Sequence, residues 1–460
     1  MRALHLAPVI ALAGCYSPAP QAGAPCNERG ECPTGLRCIA DLCQSPDMVP
    51  EDAAIDVAID VCPELSCIGN DLAGCNSRMT CSLGCADAVG TTPAHCLQMV
   101  PSNGLTTALL AGATADVSGL DLDFDTETGV ITHAGGMPLR AAGTGVIAGI
   151  GFTVIDKMGV FTANSFFVDP ITDSANDWDA RGDNALVLFA ATTITVHGRI
   201  DNGANGVNGG AGGAAGATSG SNSLPCRGRA GLWQMANFGE GGGGGGGRAT
   251  GGNGAPSNTT TFGAGGQTCS APTGGPTTIP LRGGNGGGAG GVETAPSPDV
   301  IRGGAGGGGG GALALVAMES ITISGEATAP GEGGRTSATG DGGGGGGSGG
   351  AILVEAPVVT ISGAVTANGG GGAAPNTANG SRGHVNDSSQ ASGGVYMTAS
   401  GGRGGTGAAP TAGTTYTDGT MARGGGGGGA GGRTELKGRT RNTAGSVISP
   451  GAVQNDIAVE

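Results

Sequence analysis

Four segments of the chain share one pattern of apolar and polar positions. ALVLFAATTITVHGRIDN from Ala185, ALALVAMESITISGEATA from Ala312, GAILVEAPVVTISGAVTA from Gly350 and GRTELKGRTRNTAGSVIS from Gly432 align without gaps. The alignment puts Gly198, Gly325, Gly363 and Gly445 in register. Ile194 and Val196, Ile321 and Ile323, and Val359 and Ile361 alternate with Thr or Ser, a period of two that predicts strands with one face buried. Each copy reads as three short strand pieces, as in 352–355, 358–362 and 365–367 of the third copy. The fourth copy breaks the pattern with Arg441 and Thr443, as the polar end of a stacked array requires. A glycine held at the same place in every copy is expected where the chain turns with positive φ.

Three strand pieces per copy, stacked copy on copy, predict a mainly β protein. The expected architecture is a right-handed parallel β-helix or solenoid-like region, with coils about 4.8 Å apart around one aliphatic core. Glycine runs at 306–311, 342–347 and 424–429 precede the last three copies and read as insertions leaving one corner. Two states are open for them: disorder, or packing as polyproline-II-like strands, which the missing Cβ permits. Ahead of the first copy, Leu120, Leu122, Phe124 and Val130 alternate with polar residues, and no segment shows convincing helical periodicity.

The N-terminus has another character. Arg2, an apolar stretch and Leu12-Ala13-Gly14-Cys15 form a bacterial lipoprotein signal over residues 1–14, with Cys15 as the lipidated residue. A Pro/Ala tether (15–25) leads to a small disulfide module (26–43) carrying Cys26, Cys32, Cys38 and Cys43. An acidic linker (44–61) separates it from a second module (62–96) with Cys62, Cys67, Cys75, Cys81, Cys85 and Cys96. The glycine-rich solenoid is expected over 104–460. Without Cys15 the chain has twelve cysteines, an even number suited to disulfides, and Cys226 and Cys269 can pair with each other. Pairings within the modules stay open. No C-x2-C spacing occurs, which favours disulfides over zinc and implies an oxidising compartment.

Composition sharpens this picture. Glycine supplies 102 of 460 residues and aromatics only 3%, so the core must be aliphatic over most of the chain. The net charge of −15, with no basic patch, argues against nucleic acid and anionic headgroups as partners. No apolar stretch reaches 18 residues, so attachment to a membrane is expected through the lipid alone.

Candidate chemistry is sparse. Gly346-Gly347-Ser348-Gly349-Gly350 matches G-x-S-x-G, but a nucleophile elbow needs a strand-to-helix turn that is not readable here. His95, His133, His197 and His384 are scattered, and His197 reads as an outward-facing polar residue beside a registered glycine. Asp121, Asp123 and Asp125, followed by Glu127, form the one calcium candidate, since alternate carboxylates on a strand share a face. The run lacks the EF-hand glycine and glutamate, and a solvated strand face outweighs calcium. No other cofactor is implied. Arg181-Gly182-Asp183 reads as a turn ahead of the first copy. Glu319, Glu326 and Glu355 do not fall at equivalent positions of the copies.

The lipobox, the cysteine-rich knots, the Asp/Pro/Ala linker and the glycine-interrupted TISG copies together resemble the glycine-rich surface lipoproteins of myxobacteria, a family without an established activity. The resemblance covers nearly the whole chain. It implies export, anchoring at the outer membrane or surface of a Gram-negative cell, and a β-rich solenoid. The expected role is non-enzymatic: structural, adhesive, or binding of polysaccharide or extracellular matrix. The first alternative is a β-helix polysaccharide lyase or glycoside hydrolase. The second is a largely disordered glycine-rich coat component.

Overall fold

The computed structural model describes residues 26–44 in part, and 65–460 except 75–76, 134–135, 171–176, 219–226, 232, 235–237, 257–277, 279, 292–302, 338–340, 377, 407–408 and 419–420. The signal and Cys15, the linker beyond Gln44, and Cys62, Cys75, Cys226 and Cys269 lie outside the described residues. The chain divides into two compact units, Met1–Glu64 and Leu65–Glu460. In the first, Cys26 pairs with Cys38 and Cys32 with Cys43. In the second, Cys67 pairs with Cys85 and Cys81 with Cys96. For so short a module as 26–43, too small to bury a core, two such cross-links are the main source of stability.

The protein is mainly β, with strands stacked in parallel in three sheets. Among the described residues, five repeats each send their strands to the same three sheets in the same order. The first repeat is Met158–Ala163, Ser165–Val168 and Asp177–Arg181. The second is Ala185–Ala190, Thr193–Val196 and Arg199–Asp201. The third is Ala312–Ala317, Ser320–Ile323 and Glu326–Thr328. The fourth is Ala351–Glu355, Val358–Ile361 and Ala364–Thr366. The fifth is Arg433–Lys437, Thr440–Asn442 and Val447–Ser449. Pairing across repeats follows the expected register: Ile194 lies beside Ile321, and Ile321 beside Val359.

Alternation decides what is buried. Leu186, Leu188, Leu313, Leu315, Ile352 and Val354 enter one apolar core with Ile194, Ile321, Val359 and their partners from the other two sheets. Arg441 takes the inward position of the fifth repeat; it donates to the carbonyls of Gly438 and Asn455 and ends that sheet. At the other end the core turns aromatic, with Phe124, Phe161, Phe166 and Trp178 in contact. Two antiparallel meanders close this end, one of which carries the buried Arg140. Its guanidinium donates to five carbonyls, those of Ile150, Gly129, Ala141, Gly143 and Gly145.

Three of the four registered glycines are not at positive φ; only Gly445 is, at 80°. Glycine is required at Gly198, Gly325 and Gly363 for another reason. A Cβ on Gly363 would strike the carbonyl of Gly325, and one on Gly325 that of Gly198. At these three glycines the turn rests directly on the backbone of the repeat before, whereas Gly445 has open space around it.

The glycine runs are ordered and packed against one another. The run 342–350 shows how. Gly342, Gly345 and Ser348 donate their N–H groups to Gly291, Gly288 and Asn285. Gly343, Gly346 and Gly349 donate to Gly424, Gly427 and Ala430. Gly344, Gly347 and Gly350 donate to Arg335, Glu332 and Ala329. Carbonyls of the same run accept from Gly304, Gly307 and Gly310, from Gly242 and Gly245, and from Gly370 and Ala373. A helix with three residues per turn and no internal hydrogen bonds has polyproline-II geometry. Here it has six neighbours, three of which it donates to and three of which donate to it. A side chain at the glycine positions of the central run would meet a neighbour's backbone: a Cβ on Gly346 would strike Gly370.

Candidate functional site

A polar groove of about 370 Å³ runs along the corner where the second sheet passes into the third. Its floor is the column of turn glycines, Gly198, Gly325 and Gly363. Its wall is the residue before each of them, His197, Ser324 and Ser362, which all point to solvent. The His197 Nδ1 and the Ser324 Oγ lie 2.6 Å apart. Glu326 and Asn386 reach the opposite side. Asn386 comes from the insertion between the fourth and fifth repeats, a segment of which folds back over the third sheet: the Asn368 amide donates to the carbonyls of His384 and Asp387, and the Thr366 hydroxyl to that of Val385.

Phe167 stands outside the groove's lining, against His197. It sits on the outward side of Ser165–Val168, pairs with Thr195, and meets the His197 ring edge-on at 5.4 Å. It is the one aromatic residue among the exposed large hydrophobics of the described residues. The next outward positions on the second sheet are Thr195, Thr322 and Thr360, followed by Asn442. The parallel column is Thr193, Ser320 and Val358. Over repeats two to four the described strand residues of this face carry no charge.

The third sheet, across the corner, is acidic. Asp123, Asp179 and Asp201 are direct neighbours on three successive strands. Asp177, Arg199 and Glu326 form the adjacent column, in which Arg199 bridges Asp177 at 2.9 Å and Glu326 at 2.5 Å. Arg382 reaches in to Asp201 at 2.8 Å. Asp179 is an exposed residue, yet its carboxyl is pushed up to about 7, by partial loss of water at the crowded sheet surface and by the like charges of Asp201, Asp177 and Asp123, against the opposite pull of Arg382. Asp177 is also raised, mainly by burial, although Arg199 works against the shift.

The sequence-derived candidates fall in different places. Asp123 joins the acidic column. Asp121 lies apart, in a left-handed turn with φ 56°. Asp125 accepts from the N–H groups of Glu127 and Thr128 and lies 3.6 Å from Arg181. Burial opposes its ionisation, yet those partners outweigh it and hold its carboxyl below the usual range. Ser348 is buried inside the glycine bundle, where its Oγ accepts from the Asn285 N–H. Glu326 lies on the third sheet, whereas Glu355 lies on the first and accepts from the N–H and hydroxyl of Ser102. Gly182 makes the expected turn, with φ 114°. His384 lies 3.3 Å from Asp387 and outside the groove's lining.

Phe167, Asp179, Arg382 and Asn386 escaped the sequence reading. Phe167 was recoverable: NSFFVDP aligns with TTITVHG, which puts an aromatic ring at an outward position. Arg382 and Asn386 carried no such signal, because they lie in an insertion whose path no periodicity records. Comparison with protein families, with curated proteins and with solved structures finds no match.

Proposed function

We propose that the chain is a lipid-anchored surface protein that binds glycan or matrix and does not degrade it. In this reading the three sheets close as a parallel β-solenoid, right-handed by the rule for parallel crossovers. The glycine bundle packs against it as a rigid slab, and the lipid on Cys15 holds the assembly at the cell surface. The supporting observation is the groove together with the exposed Phe167 ring that packs against its His197. An exposed ring offers a stacking surface for a sugar, and His197, Ser324, Ser362 and Asn386 offer hydrogen bonds beside it.

One observation favours a second reading, hydrolysis or lysis of a polysaccharide. Asp179, near 7 and flanked by other carboxylates, is suited to carry a proton at neutral pH. Co-sedimentation with insoluble polysaccharide, read together with polymer chain length, separates the two. Bound and intact polymer supports the binding protein. Shortened polymer, with the shortening lost in Asp179→Asn, would move the protein to the enzymes.

A further inference from the structure

We infer that the glycan taken by this groove is a neutral, linear, β-linked polysaccharide laid across the repeats, and that polyanionic glycans are turned away. The inference rests on the glycan-binding reading above and narrows it to a ligand class.

Three features carry it. The first is translation. His197, Ser324 and Ser362 recur once per repeat, about 4.8 Å apart in a parallel stack. An extended sugar chain laid along this column meets a hydrogen-bonding side chain at every repeat, the imidazole of His197 and then the hydroxyls of Ser324 and Ser362. The second is flatness with one ring at the end. The columns Thr193–Ser320–Val358 and Thr195–Thr322–Thr360 present short side chains of nearly equal height, and Phe167 rises beside them at the first repeat. A linear β-linked chain is itself a flat ribbon, with C–H faces that stack on a ring and hydroxyls along its edges.

The third feature is charge. Among the described strand residues, no ionised group stands on the flat face over repeats two to four, so nothing there would pair with a charged sugar. The third sheet across the corner holds Asp123, Asp177, Asp179, Asp201 and Glu326 against Arg199 and Arg382, both of which are already in ion pairs. A uronate or sulfated chain would lie against this surplus of negative charge, within a chain of net charge −15, and would be repelled.

The test uses the full chain in mild detergent and two insoluble probes, microcrystalline cellulose and cross-linked polygalacturonate, at low salt. The protein is expected to bind cellulose and to leave polygalacturonate. Phe167→Ala is expected to weaken cellulose binding about tenfold, whereas Phe167→Tyr, which keeps a ring, stays near the parent. Circular dichroism and thermal midpoint confirm that both variants fold. Binding of polygalacturonate as tight as that of cellulose would overturn the ligand class and leave the glycan reading standing. Cellulose binding unchanged in a folded Phe167→Ala would overturn the placement of the site. Failure to bind either polymer would overturn the glycan reading itself.

Discussion

The strands of the repeats and the glycine runs between them fill space in opposite ways. In the strands, side chains do the packing: Leu315, Ile321 and Val359 leave water entirely, and each such burial is worth about 1.5–3 kcal/mol. In the run 342–350 there is only one side chain, that of Ser348, and backbone packs on backbone through hydrogen bonds on every side. Each of those bonds contributes about 0.5–1.5 kcal/mol net, against the high entropy that glycine loses on ordering. Polyglycine has no side chains to fix its register. The strands supply it: Gly311, Gly350 and Gly432 lead directly into Ala312, Ala351 and Arg433, the opening residues of three stacked strands. One part of the molecule is specified by which side chains are present, and the other by their absence together with its attachment to the first.

The comparison breaks most sharply at Gly346. Gly346→Val would drive methyl groups into the backbone of a neighbouring run, and we expect a loss of more than about 5 kcal/mol. Ala430→Gly, in a run where a methyl already fits, should cost less than about 1 kcal/mol. Denaturant midpoints of both variants check this, and equal effects would mean that the runs are not close-packed. The strand core should show the reverse preference. Leu315→Ala is expected to cost about 2–5 kcal/mol by leaving a cavity.

Ser348→Ala sharpens the picture within the bundle. It removes the acceptor of the half-buried Asn285 N–H and should cost about 1 kcal/mol, although it adds no volume. The smallest effect concerns pH. Between the ordinary value of 3.8 and about 7, Asp179 holds its proton in the folded chain and releases it in the unfolded one. Stability therefore falls as pH rises through that window. Asp179→Asn should flatten the fall and raise the thermal midpoint at pH 8 by about 1–2 °C, a small gain because the residue is exposed. A steeper fall in the variant would contradict the assignment.

Legibility followed the same division. Strand alternation over Ile194, Ile321 and Val359 was readable because side chains on opposite faces of a strand meet opposite environments. The three-residue period of the glycine runs left only a faint mark, because a helix with neighbours on every side takes glycine at nearly every position; polyproline-II packing was open in the sequence but not separable from disorder. The first repeat hid for a related reason: Phe161, Phe166 and Trp178 replace the aliphatic residues that mark the others. The registered glycines were visible as positions, but their cause was not, since contact with the preceding repeat depends on a stacking distance that sequence does not record. The groove follows from those contacts. Its His197 and Ser324 were in register in the sequence, whereas Asn386 arrives from an insertion.

Amide hydrogen exchange over residues 342–350 tests the central claim most directly. Every N–H in this run is committed to a neighbouring run, so the account predicts protection comparable to that of Ala312–Ala317 in the strand core. Exchange at the rate of an unstructured chain, with the strands still protected, would show that the glycine runs are loose insertions and that the backbone-packed slab does not exist.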